Sequence, residues 1–78
     1  AVMRVLSDRL VRGLKPCINA RGRDAITYAM KLISLLGDEL RAGGNDLRLM
    51  SRLIGEGPVT YLEDVELEIV LEALRGGN

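Results

Sequence analysis

At 78 residues the chain has room for one domain spanning 1–78, and a domain that small buries so modest a share of its surface that an oligomer is expected. With no Trp, no Phe, no His and a single Cys, it lacks an aromatic base-stacking platform, an intrachain disulfide, a thiolate–imidazole pair and any Cys/His zinc site. The formal charge is zero but divided: residues 1–23 carry six basic side chains against Asp8, and residues 56–78 carry six acids against Arg75, so a local basic patch exists within a neutral total.

Val2, Leu6, Leu10 and Leu14 recur every four residues, with Arg4, Asp8, Arg9 and Arg12 on other faces, which predicts an amphipathic helix that Gly13 and Lys15-Pro16 end. Pro16 to Ala20 reads as a short strand leading into the turn Arg21-Gly22-Arg23-Asp24, with Asp24 a cap for the second helix. Ala25, Ile26, Ala29, Met30, Ile33, Leu36 and Leu40 keep helical spacing through 24–41, and Gly43-Gly44-Asn45 terminates it. Residues 46–54 suit either a helix, through Leu47, Met50, Leu53 and Ile54, or a strand, through Leu47 and Leu49 before the break at Gly55-Glu56-Gly57-Pro58. Val65-Glu66-Leu67-Glu68-Ile69 alternates strictly and continues to Leu71 and Glu72, which predicts a half-buried strand with an acidic outer face. The favoured order is helix, strand, helix, strand, strand, the last two joined by a glycine-rich arm.

These residues and their order resemble the Alba family of archaeal chromatin proteins, relatives of which are subunits of RNA-processing complexes. Val2-Met3 is similar to that family's helix opening, Ile18 with Ala20-Arg21-Gly22-Arg23 to its strand and Ala-Arg-Gly-Arg signature, Ala29 to a small residue of its second helix, and Val65 to Glu72 to its final strand. The resemblance implies an α/β (α+β) domain: a two-layer sandwich of a small mixed sheet, two helices and a C-terminal β-hairpin. The family's first strand and lysine-bearing loop have no counterpart in these residues, and the neutral charge departs from its usual basic character.

The resemblance also implies a homodimer, or a heterodimer with a paralogue, that binds DNA or RNA through the phosphate backbone with little sequence preference, in the cytoplasm on the chromosome. Arg21, Gly22 and Arg23 at a helix start would form a phosphate clamp, because free N–H groups, the helix dipole and bidentate guanidinium groups all favour an anion. Lys15, Arg48 and Arg52 extend the expected contact surface, with Arg4, Arg9 and Arg12 the more ordinary solvated helix charges. The competing reading of the clamp is that its arginines pair with Glu66 and Glu68. The arm Gly55–Leu62 reaches along the nucleic acid in the family, but here it carries Glu56, with Glu63 just beyond it, and no lysine.

Cys17 reads as a buried small apolar residue, and Glu66, Glu68 and Glu72 as a solvated strand face before a metal cluster. No cofactor, no metal and no catalytic residue is expected, since no nucleophile–base pair or phosphate loop is present. Neither a long apolar run nor a signal-peptide pattern occurs, so no membrane partner and an intracellular soluble protein are the expectation. Two alternatives remain at this point: an interaction subunit with this fold and weak nucleic-acid affinity, and a small helix-turn-helix module if residues 46–54 and 62–74 are helical.

Overall fold

Leu6 and Leu10, spaced one helical turn apart, are the two buried residues of helix α1 (Val2–Val11). The helix stops where its glycine allows it to: Gly13 takes φ 85°, its N–H donates to Leu10 O at 3.0 Å, and Leu14 N–H donates to Arg9 O at 3.0 Å. This pair of bonds satisfies terminal carbonyls that the helix itself leaves bare. Pro16 then starts the next element, strand β1 (Cys17–Arg21).

The computed structural model describes residues 2–55 and 60–75. After β1 come helix α2 (Arg23–Ala42), strand β2 (Asn45–Ile54), a 3-10 turn over Leu62–Asp64 and strand β3 (Glu66–Arg75). The three strands form one sheet in the order β1-β3-β2, so the last strand of the chain is the central one.

Register decides which side chains share a face. Ile18 and Ala20 lie opposite Ile69 and Leu67, and Leu47, Leu49 and Leu53 lie opposite Ala73, Leu71 and Leu67. That face carries the core: Ala20, Ile69 and Leu71 are buried against Leu6 and Leu10 of α1 and Ala29, Ile33, Leu36 and Leu40 of α2. Both helices therefore cover one face of the sheet in a two-layer α+β arrangement. Each fully buried aliphatic side chain contributes about 1.5–3 kcal/mol, and an aliphatic core suits a chain without Phe or Trp. The opposite face carries Cys17, Asn19 and Arg21 on β1, Glu66, Glu68, Val70 and Glu72 on β3, and Arg48, Met50 and Arg52 on β2.

Several expectations are corrected. The sheet is antiparallel, not mixed, among the described residues, because β3 runs opposite to both of its neighbours. The strand favoured for residues 46–54 is, by contrast, present as β2, where the alternation of Leu47, Leu49 and Leu53 matches the partner face of β3. Asp24 is not a cap: the residue at the helix boundary is Gly22, no side chain caps it, and the Asp24 carboxylate is fully exposed in the first turn. Cys17 is exposed, because strand alternation turns it to the outer face while Ile18 turns inward. Of the glycine-rich arm, residues 56–59, Glu56 among them, lie outside the described residues. Among those described, no helix is long and apolar enough to cross a membrane.

Candidate nucleic-acid interface

Arg21 ends β1, Gly22 turns the chain and Arg23 begins α2, so the tripeptide stands at a strand-to-helix junction. Gly22 adopts φ 87° and ψ 161°, a region that only glycine occupies without strain. Its N–H donates to Val65 O at 2.8 Å and its carbonyl accepts the Ile26 N–H at 3.0 Å. The first bond ties the junction to the residue before β3; the second opens the helix. The N–H groups of Arg23, Asp24 and Ala25 precede that first helical bond and have no carbonyl within the helix, which leaves the positive end of α2 open to an anion.

The two guanidinium groups are differently placed. Arg21 is exposed on the outer face and makes no ion pair among the described residues, although Glu66 is its register partner. Arg23 is exposed, and its one ion pair among the described residues is a long 3.8 Å contact from Nε to the Asp24 carboxylate. In water such an exposed contact is worth little. Neither arginine pairs with Glu66 or Glu68. The junction is not uniformly basic, however: Asp24 lies in its first turn, and Glu63 and Asp64 sit in the 3-10 turn whose Glu63 carbonyl approaches Gly22.

The other three candidate residues share the outer face with Arg21 but are engaged. Arg52 Nε donates to Glu68 Oε1 at 2.7 Å, one Arg48 terminal nitrogen lies 2.9 Å from Glu72 Oε1, and Lys15 Nζ lies 3.6 Å from Glu72 Oε2. The hydrogen bond and charge of Glu68 raise the Arg52 guanidinium above its ordinary pKa. Lys15 precedes β1 and Arg21 ends it, which puts them at opposite ends of that strand. Arg21, Gly22 and Arg23 thus stand together at the junction, whereas Lys15, Arg48 and Arg52 are each in contact with Glu68 or Glu72.

Glu68, weighed from the sequence as a partner of Arg21 or Arg23, pairs with Arg52 instead, and Glu72, read as outer strand face, meets Arg48 and Lys15. A signal was present: Arg48 and Arg52 are four apart, as are Glu68 and Glu72, and two antiparallel strands can bring such sets into register. No protein-family model, no curated protein and no solved structure matches this chain.

Proposed function

We propose that this chain is a non-enzymatic, Alba-like module that binds the sugar–phosphate backbone of DNA or RNA with little sequence preference, working as a dimer in a chromosome-associated cytoplasmic setting. The observation that carries the reading is the junction: a positive-φ glycine between two exposed arginines at the open N-terminus of a long helix. Arg21 and Arg23 meet a phosphate first. Lys15, Arg48 and Arg52 join only by exchanging a carboxylate for a phosphate, which makes the contact small and the affinity modest. Dimerisation is supported by Leu49 and Leu53, which lie on the helix-side face of β2 yet remain 39% and 62% exposed.

The test is a salt titration of duplex DNA and duplex RNA binding by fluorescence anisotropy, for the chain and its Arg21→Ala/Arg23→Ala variant. The expected result is a negative salt slope that becomes shallower in the variant, with affinity reduced several-fold. Absence of binding at low salt for both proteins overturns the reading.

A second reading is an interaction subunit that keeps the fold and uses its surface for protein contact. The paired outer face favours it, since Glu68 and Glu72 offset two of the three charges of Arg52, Arg48 and Lys15. It predicts flat anisotropy at every salt concentration, whereas the first reading does not.

A further inference from the structure

On the side of the sheet opposite both helices, the register of the strands sets side chains in rows. Val70 lies opposite Met50 on one side and Cys17 on the other, so an uncharged row crosses the sheet. Charged rows flank it two residues along each strand, about 7 Å away. One is Glu72 with Arg48, reached also by Lys15; the other is Glu68 with Arg52. Met50 is 62% exposed between them, an apolar side chain in the middle of a charged face.

The two charged rows differ. Arg52 and Glu68 pair one to one through Nε and Oε1, and the terminal N–H groups and the second oxygen make no further hydrogen bond among the described residues. Glu72 serves two cations, holding Arg48 at 2.9 Å and Lys15 at 3.6 Å, which leaves one positive charge in excess. The Lys15 contact is the longer, so an anion can take Lys15 while Arg48 and Glu72 stay together. A cleft of about 40 Å³ opens at this node, between it and the Met50–Val70 row. On the other side of Met50 a hollow of about 290 Å³, lined by Met50, Val70, Ser51, Arg52 and Glu68, runs to the closed pair.

We propose that this face holds one unpaired nucleotide of a single-stranded nucleic acid, with its phosphate at Lys15, its base on Met50 and Val70, and the polar edge of the base at Arg52 and Glu68. It rests on the nucleic-acid reading and names the form of strand that the outer face takes. Three features favour a nucleotide over other anions. A diester phosphate carries one negative charge, the amount needed to balance the Lys15 node. The apolar surface is one Met and one Val wide on an open sheet, which suits a flat ring, and a thioether packs favourably against aromatic rings. Its far border is an ion pair with open donors and acceptors, which the edge of a base can bond and an alkyl chain cannot. A base within a duplex is stacked and paired and does not reach Met50, so the site separates unpaired from paired strands.

The experiment uses the whole chain with isotope-labelled methionine methyl groups, followed by NMR. The probes are a deoxyadenylate hexamer, an abasic hexamer of the same charge, a mixed-sequence duplex and octanoate. Saturable binding of the deoxyadenylate hexamer moves the Met50 methyl resonance upfield by the ring current of the base, while Met3 and Met30, on the two helices, stay in place. The abasic hexamer leaves Met50 unmoved. Met50→Ala lowers affinity for the deoxyadenylate hexamer by about two- to tenfold and leaves duplex affinity unchanged. Because Met50 is exposed, the unfolding midpoint of that variant stays near the parent's. The proposal is overturned if the deoxyadenylate hexamer binds without moving Met50, or if the abasic hexamer moves it equally. It is also overturned if octanoate moves Met50 and the hexamer does not, which makes an amphiphilic carboxylate the occupant. Duplex binding measured alongside keeps the two readings apart: a bound duplex with Met50 unmoved by the hexamer removes this site and leaves the junction, whereas no binding of any strand at low salt removes both.

Discussion

Arg52 donates its Nε–H to Glu68 Oε1 at 2.7 Å across the β2–β3 ladder, so a residue of the expected phosphate surface is held by a carboxylate of the neighbouring strand. Arg48 stands in the same relation to Glu72, which also meets Lys15. Opposite charges of this chain are thus brought together on one sheet face as well as divided between its ends.

Removing the two carboxylates should convert the face. The variant Glu68→Gln/Glu72→Gln frees Lys15, Arg48 and Arg52, and duplex DNA affinity is expected to rise several-fold in low salt. The logarithmic salt slope should steepen by about 0.9 for each phosphate newly contacted. Fluorescence anisotropy across a salt series measures both; an unchanged slope would show that these cations do not reach the backbone.

Gly22 offers a different lever. A Cβ there would make only an ordinary 3.7 Å contact with the Glu63 carbonyl, so space is available and the conformation is what resists substitution. Gly22→Ala should cost about 1–3 kcal/mol of stability through backbone strain. Urea unfolding checks it, and a variant as stable as the parent would place the junction in another conformation in solution.

In the core, Leu36 and Leu71 are both wholly excluded from solvent and belong to the cluster shared by the helix and sheet layers. Truncation of either to Ala should destabilise by about 2–5 kcal/mol, the cost of lost burial plus an unfilled cavity. Leu53→Ala, at an exposed position, should leave the unfolding midpoint of dilute protein close to that of the parent. Chemical denaturation of the three variants side by side tests the ranking.

Leu49 and Leu53 lead to a fourth expectation. Placing Glu at Leu53 puts a charge in the apolar strip of β2 that α2 leaves uncovered, and sedimentation velocity should show a shift toward monomer relative to the parent. An unchanged association state would locate the dimer contact elsewhere.

The parts of this architecture that were legible in the residues are those set by local chemistry. Gly13 followed by Lys15-Pro16 announces the end of α1, and the observed terminal bonds at Gly13 and Leu14 are what those residues favour. The alternation from Glu66 to Leu71 reports a strand with one buried face because strand side chains alternate strictly. The 46–54 segment was ambiguous because its apolar residues fit spacings of two and of three to four alike; only pairing with β3 selects between them. Asp24 looked like a cap because its side chain can accept a backbone bond, but Gly22 had already made the turn one residue before the helix.

The site was legible as a position and not as an electrostatic state. Arg21-Gly22-Arg23 falls at the junction where the residues suggested it. Which carboxylate meets which cation depends on strand register, a property of two distant segments together, and so the pairing of Glu68 with Arg52 and of Glu72 with Arg48 emerged only with the sheet.

The ladder of Arg48, Arg52, Glu68 and Glu72 stands on the face of the sheet that no helix among the described residues covers, and none of its members belongs to the buried core. Its charges can therefore drift in either direction, by single substitutions, while the packing that makes the fold stays as it is. Substitution at these four positions therefore changes the sign of an exposed surface while leaving in place the aliphatic residues that hold the two layers together.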